Sequence, residues 1–110
     1  MVSIYRNVFT TDVTKSKVSI VKWKISTGIG MANTYLITLA SNNNDVFDIY
    51  SGTVFKQKRI RKMNFVVIGI AESDSAAKEL VIKMLDYYDK NKKNDQSARD
   101  FFAELVNSDM

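Results

Sequence analysis

Residues Phe65–Ala71 (FVVIGIA) are apolar at every position, and a change of hydrophobic period follows them almost at once. A half-buried strand alternates; a short, β-branched run without alternation reads as a strand covered on both faces. From Ser73 onward Ala77, Leu80, Val81, Met84, Leu85 and Tyr88 recur at helical spacing, so a helix over about 74–90 covers one face of that strand. Ser73 or Ser75 caps its start, Asp74 suits the positive helix end, and Glu79–Lys83 and Asp86–Lys90 stand four apart as supporting pairs. The polar segment Asp89–Gln96 ends it. A second helix over about 97–107 carries Ala98, Phe101, Phe102, Leu105 and Val106 on its apolar side. The cover for the strand's second face is not assigned. Either the sheet curls into a partial barrel or a second copy packs there.

The first seventy residues read as strands. Lys17–Ile25 alternates, with Val21, Trp23 and Ile25 on one face and Lys22 and Lys24 on the other. In Asn33–Ala40, Tyr35, Ile37 and Leu39 share a face. In Asp45–Ser51, Phe47 and Ile49 point inward while Asp48 and Tyr50 take the second face. Asn42-Asn43-Asn44 and Ser51-Gly52-Thr53 are turns, and a further strand is expected over Val54–Lys62. Val2–Thr10 reads as a strand whose apolar residues do not choose one face. Short connections favour an antiparallel meander. The expected fold is therefore α+β, a single domain over residues 1–110. Its antiparallel sheet of about five or six strands spans about 2–71, and the two helices follow. The strand-then-helix passage Val67–Leu85 has the general look of small bacterial domains, without pointing to a named family.

Composition removes much chemistry. The chain of 110 residues has no histidine and no cysteine, so Ser-His-Asp and Cys-His catalysis and the usual zinc sets cannot be built. Asn42-Asn43-Asn44-Asp45 offers oxygen ligands but lacks the spacing, glycine and terminal glutamate of a calcium loop. Thr27-Gly28-Ile29-Gly30-Met31-Ala32-Asn33 begins like a dinucleotide loop, but Asn33 stands at the third glycine position and no helix pattern follows. It reads instead as a hairpin connection with Gly28 and Gly30 at positive φ. No catalytic residue, metal, cofactor or small-molecule ligand is inferred, and the chain is expected not to be an enzyme. A pocket with clustered carboxylates would speak for a hydrolase. The longest apolar run, seven residues, is far short of the roughly 20 that cross a bilayer. With no secretory signal in residues 1–10, a soluble, cytoplasmic protein is expected.

The net charge of +4 is unevenly spread. Residues 1–62 hold ten basic residues and three acidic ones, Asp12, Asp45 and Asp48; residues 63–110 hold six basic and nine acidic. Lys56-Gln57-Lys58-Arg59-Ile60-Arg61-Lys62 is the densest basic run, and Lys22 and Lys24 extend it as candidate polyanion contacts. Trp23, Tyr35, Tyr50 and Phe55 are candidate stacking platforms for a single strand, although Trp23 shares the expected core face of Val21 and Ile25. The plainer reading is a solvated, aggregation-resistant edge strand. Phe101, Phe102, Leu105 and Val106 exceed what a terminal helix needs for loose docking; either they close the sheet or they meet a partner, as a candidate interface with a second copy. The expectation is a small non-enzymatic binding or interaction domain, homo-oligomeric. The alternative is a single-stranded nucleic-acid-binding protein using 56–62.

Overall fold

A computed structural model describes residues 2–40 and 45–108. The fold is α+β. Among the described residues it has four strands, β1 (Ser3–Thr10), β2 (Tyr35–Leu39), β3 (Phe47–Ser51) and β4 (Val66–Ala71). They form one open, mixed sheet in the order β1-β4-β2-β3. The α-helices are α1 (Val18–Thr27), α2 (Lys58–Arg61), α3 (Asp74–Asn91) and α4 (Ala98–Ser108). The turn expected at Asn42-Asn43-Asn44 lies outside the described residues.

Strand β4 is central and covered on both faces, as its composition requires. Below the sheet, Ile68 and Ala71 join Tyr5 and Ile37 against Ala77, Leu80 and Met84 of α3 and Phe101, Phe102 and Val106 of α4. Above it, Val67 and Ile70 join Leu36 against Val21 and Ile25 of α1, with Met31, Phe55 and Phe65. Val66, Ile68 and Ala71 reach the lower core and Val67 and Ile70 the upper one because β4 bulges. Thr38 pairs with Val67 and Ile37 with Gly69, so Ile68 is skipped, and β1 skips it too. The extra residue breaks the two-residue alternation and lets Ile68 and Ala71 face one side while Val67 and Ile70 face the other. At Gly69 a Cβ would lie 2.9 Å from Ile37 Cδ1, so the absent side chain makes room for that isoleucine.

The second cover is α1, and this corrects the strand expected at Lys17–Ile25. Val18, Val21 and Ile25 satisfy a helical spacing as well as Val21, Trp23 and Ile25 satisfy a strand. The choice falls to the sheet, whose open upper face needs a helix. Neither a barrel nor a second copy is needed to cover β4. The strand expected at Val54–Lys62 is also absent. A 3-10 helix (Gly52–Lys56) and the single turn of α2 take its place. Topology gives the reason. Strand β3 is antiparallel to β2, which is antiparallel to β4, so β3 and β4 run parallel. Their connection must climb back along the sheet rather than pair within it. The sheet is accordingly mixed, with β1 and β4 parallel, and not the antiparallel meander of five or six strands.

The two C-terminal helices lie where the apolar periodicity puts them. Ser73 Oγ accepts from Ala76 N–H at 3.0 Å and caps α3, and Asp74 and Asp86 pair with Lys78 and Lys90, each at 2.9 Å. Strand β1 explains its own lack of a clean face: between Ile4 and Phe9 its register slips against β4, so Tyr5 and Phe9 both reach the lower core while Arg6 and Asn7 stay exposed. Among the described residues no helix is long and apolar enough to cross a membrane.

Candidate functional site

The sheet sorts the charge. The segments above it, residues 11–34 and 52–65, carry Lys15, Lys17, Lys22, Lys24, Lys56, Lys58, Arg59, Arg61 and Lys62 against one acidic residue, Asp12. The segment below it, 72–108, carries eight acidic and six basic residues, and much of that charge is paired within α3, α4 and their connection. Besides the two pairs already given, Lys92 lies 3.8 Å from Asp89 and Lys93 lies 3.9 Å from Glu104. Above the sheet, Lys15, Lys17, Lys22, Lys24, Lys58 and Arg59 have no carboxylate within 4.0 Å among the described residues. The upper layer is thus a positive surface over a low-dielectric core, where like charges add their fields toward solvent.

Local structure presents these side chains. Helix α1 ends in a left-handed glycine, Gly28 at φ 77°. Gly28 N–H bonds the Ile25 carbonyl at 3.3 Å and Ile29 N–H bonds the Lys24 carbonyl at 3.1 Å, which is the Schellman arrangement. Gly28 therefore closes a helix, not a hairpin, and the Gly-x-Gly run follows a helix end rather than a strand. At Gly30 a Cβ would sit 2.6 Å from Lys56 Cγ, so the Lys56 stem lies across the chain just beyond α1. The end of the 3-10 helix thereby lies against the segment that follows α1. Phe55, fully buried, and Ile60, partly buried, anchor the 3-10 helix and α2 to the upper core. Lys56, Lys58, Arg59 and Lys62 are left exposed.

Of the four aromatic candidates only Trp23 faces solvent. Phe55 is buried, Tyr50 packs its ring 5.1 Å from that of Phe65, and Tyr35 packs against the lower core. Burial, and then the charge and hydrogen bond of Asp48, raise the Tyr50 hydroxyl above its usual range. Trp23 is 55% exposed and Ile20, one turn before it, 50%. The expectation that Trp23 shares a core face with Val21 and Ile25 fails with the strand that produced it: a helix turns Trp23 about 160° away from both. Of the two roles expected for the Phe101-Phe102 helix, closing the sheet is the one found. Phe101, Phe102 and Val106 are buried in the chain's own core and Leu105 is partly buried against it. These four residues close the lower layer and offer no free apolar face.

One concavity has no counterpart in the sequence reading. At the C-terminal ends of the parallel strands β1 and β4, the chain leaves for α1 on one side and α3 on the other. A cavity of about 290 Å³ opens there, lined by Thr11, Asp12, Glu72, Glu79 and Lys83 among others. Such switch points are where open α/β sheets hold ligands. Thr11 Oγ1 donates to Glu72 Oε1 at 2.8 Å, and Thr14 Oγ1 donates to the Ile70 carbonyl at 2.7 Å. Those bonds hold the first turn after β1 onto the end of β4. Among the described residues, no three His, Cys, Asp or Glu side chains gather closely enough to hold a metal ion. Residues 60 positions apart in sequence make this crevice, so no local motif signals it. Compared with protein-family models, with curated proteins and with solved structures, the chain matches none, and the functional reading rests on the geometry alone.

Proposed function

We propose that this chain is a non-enzymatic binding domain whose upper layer, α1 with the 3-10 helix and α2, holds a nucleic-acid backbone. The observation that carries the reading is the sorting of charge by the sheet: nine basic residues against Asp12 above it, and ion-paired helices below it. Phosphates are the anions that such an extended cationic surface fits, since each contact releases condensed counterions. The non-enzymatic part is supported by a chain with neither histidine nor cysteine. The carboxylates lining the switch-point crevice favour one second reading, a carboxylate-based hydrolase.

Fluorescence anisotropy with labelled single-stranded DNA and RNA across a salt series tests the proposal. With three to five phosphate contacts the log–log slope is expected at about −2 to −3.5. Lys58→Gln with Arg59→Gln is expected to flatten it by about 1.4 and to weaken binding for all sequences alike. Glu72→Gln, in the crevice, is expected to leave it unchanged. Absence of binding at low salt with micromolar protein would sink the proposal, and the lysines would then be solubilising charge.

A further inference from the structure

Resting on that reading, we infer that the nucleic acid is single-stranded and that Trp23 stacks on one of its unpaired bases. The placement of the ring is the argument. Helix α1 buries Val21 and Ile25 against the sheet, and at 100° per residue Trp23 falls on the opposite, outward side. Lys22 and Lys24 then stand about 100° to its left and right, so a lysine borders the outward face of α1 on each side of Trp23. Ile20 lies beside it one turn earlier and extends the apolar surface. Exposing the largest apolar side chain to water is unfavourable unless a partner covers it. The charges around it specify an anionic one. A base is a flat apolar face attached to a phosphate, so the Trp23 ring and its flanking lysines match the two parts of one nucleotide.

The geometry also selects against a duplex. Bases in a duplex are already stacked on both sides, and a ring standing out from the middle of α1 has no unpaired face to meet there. The other aromatics of the upper layer cannot substitute, since Phe55 is buried and Tyr50 is packed on Phe65. One base therefore stacks per molecule, and the remaining lysines and arginines follow the backbone on either side.

Trp23 is the only tryptophan in the chain, so its emission reports stacking directly and separately from binding. The experiment titrates the full chain with labelled oligothymidylate of about twelve nucleotides, within the range of known single-strand sites. Anisotropy and tryptophan emission are read together, and a mixed-sequence duplex of equal length and heparin serve as comparisons. The expected result is a rise in anisotropy together with quenching of Trp23. Trp23→Ala is expected to weaken single-strand binding about 5- to 150-fold, leaving duplex and heparin affinity unchanged. Trp23→Phe is expected to recover part of the loss. Anisotropy that rises with unchanged emission would overturn the stacking inference while the basic-layer reading survives. No rise in anisotropy would overturn both. A blue shift of emission on vesicles containing phosphatidylserine, with no quenching by the oligonucleotide, would also overturn it and assign the patch to a lipid surface. Because Trp23 is exposed, urea melts of both variants should match the parent, so any loss of binding is not a loss of fold.

Discussion

Thr38 lies on β2 opposite Val67, fully buried, and its hydroxyl finds no hydrogen-bond partner among the described residues. An unsatisfied buried hydroxyl costs about 1–3 kcal/mol of desolvation, whereas an apolar group of the same shape costs nothing of the kind. Thr38→Val is therefore expected to raise the unfolding free energy by about 1 kcal/mol in urea melts, and a destabilised variant would show that the hydroxyl has a partner. Tyr50 differs, since its hydroxyl meets Asp48. Burial and that carboxylate both favour the protonated form, so the folded chain holds this proton more tightly than the unfolded chain. Its contribution to stability is complete below the unfolded value of 10.0 and is lost as pH rises through the higher folded value. Tyr50→Phe is expected to lessen the loss of stability between pH 9 and pH 11, which urea melts at the two pH values measure. Equal losses in parent and variant would count against the Asp48 contact.

Helix α1 shows how far local sequence reaches. Val18, Ile20, Val21 and Ile25 are β-branched and favour a strand, and Val21-Lys22-Trp23-Lys24-Ile25 alternates without a flaw. The opposing signals are quieter: an apolar spacing of three and four from Val18 through Val21 to Ile25, Lys24 in the last turn, and a glycine just past the end. Gly28→Ala puts a Cβ at φ 77°, and a left-handed alanine costs about 1–2 kcal/mol. A loss of that size in a urea melt is expected; no loss would mean that α1 frays before its cap. The same conflict governs 52–62. Its basic residues were legible as a cluster, but their presentation on helical turns was not, because the parallel direction of β3 and β4 sets that geometry and no local residue encodes it.

At the scale of the molecule, the sheet works as a partition. It separates a cationic upper layer from a lower layer in which Asp74, Asp86, Asp89 and Glu104 pair with lysines, and the proposed anionic partner would meet the upper one. Coverage of β4 by α1 also removes the reason for expecting a second copy, since Phe101, Phe102 and Val106 are already inside. Light scattering at micromolar concentration is expected to give the monomer mass of 12.5 kDa. A mass of twice that would show that a second chain packs on a surface other than β4 and the buried face of α4.

The sequence by itself determined the α+β class, β4 as a strand buried on both faces, the apolar faces of β2 and β3, and both C-terminal helices, with a serine cap at Ser73 or Ser75. Each of these is written in a local period or a local hydrogen bond, which neighbouring residues suffice to enforce. Tertiary structure alone decided that 18–27 is a helix and that 52–62 crosses over the sheet. It also decided that Trp23 points outward and that Asp12, Glu72 and Glu79 share a crevice. In each of these cases the local sequence allows two conformations of similar energy or says nothing. Burial of an open sheet face, or the direction in which a distant strand must run, then makes the choice.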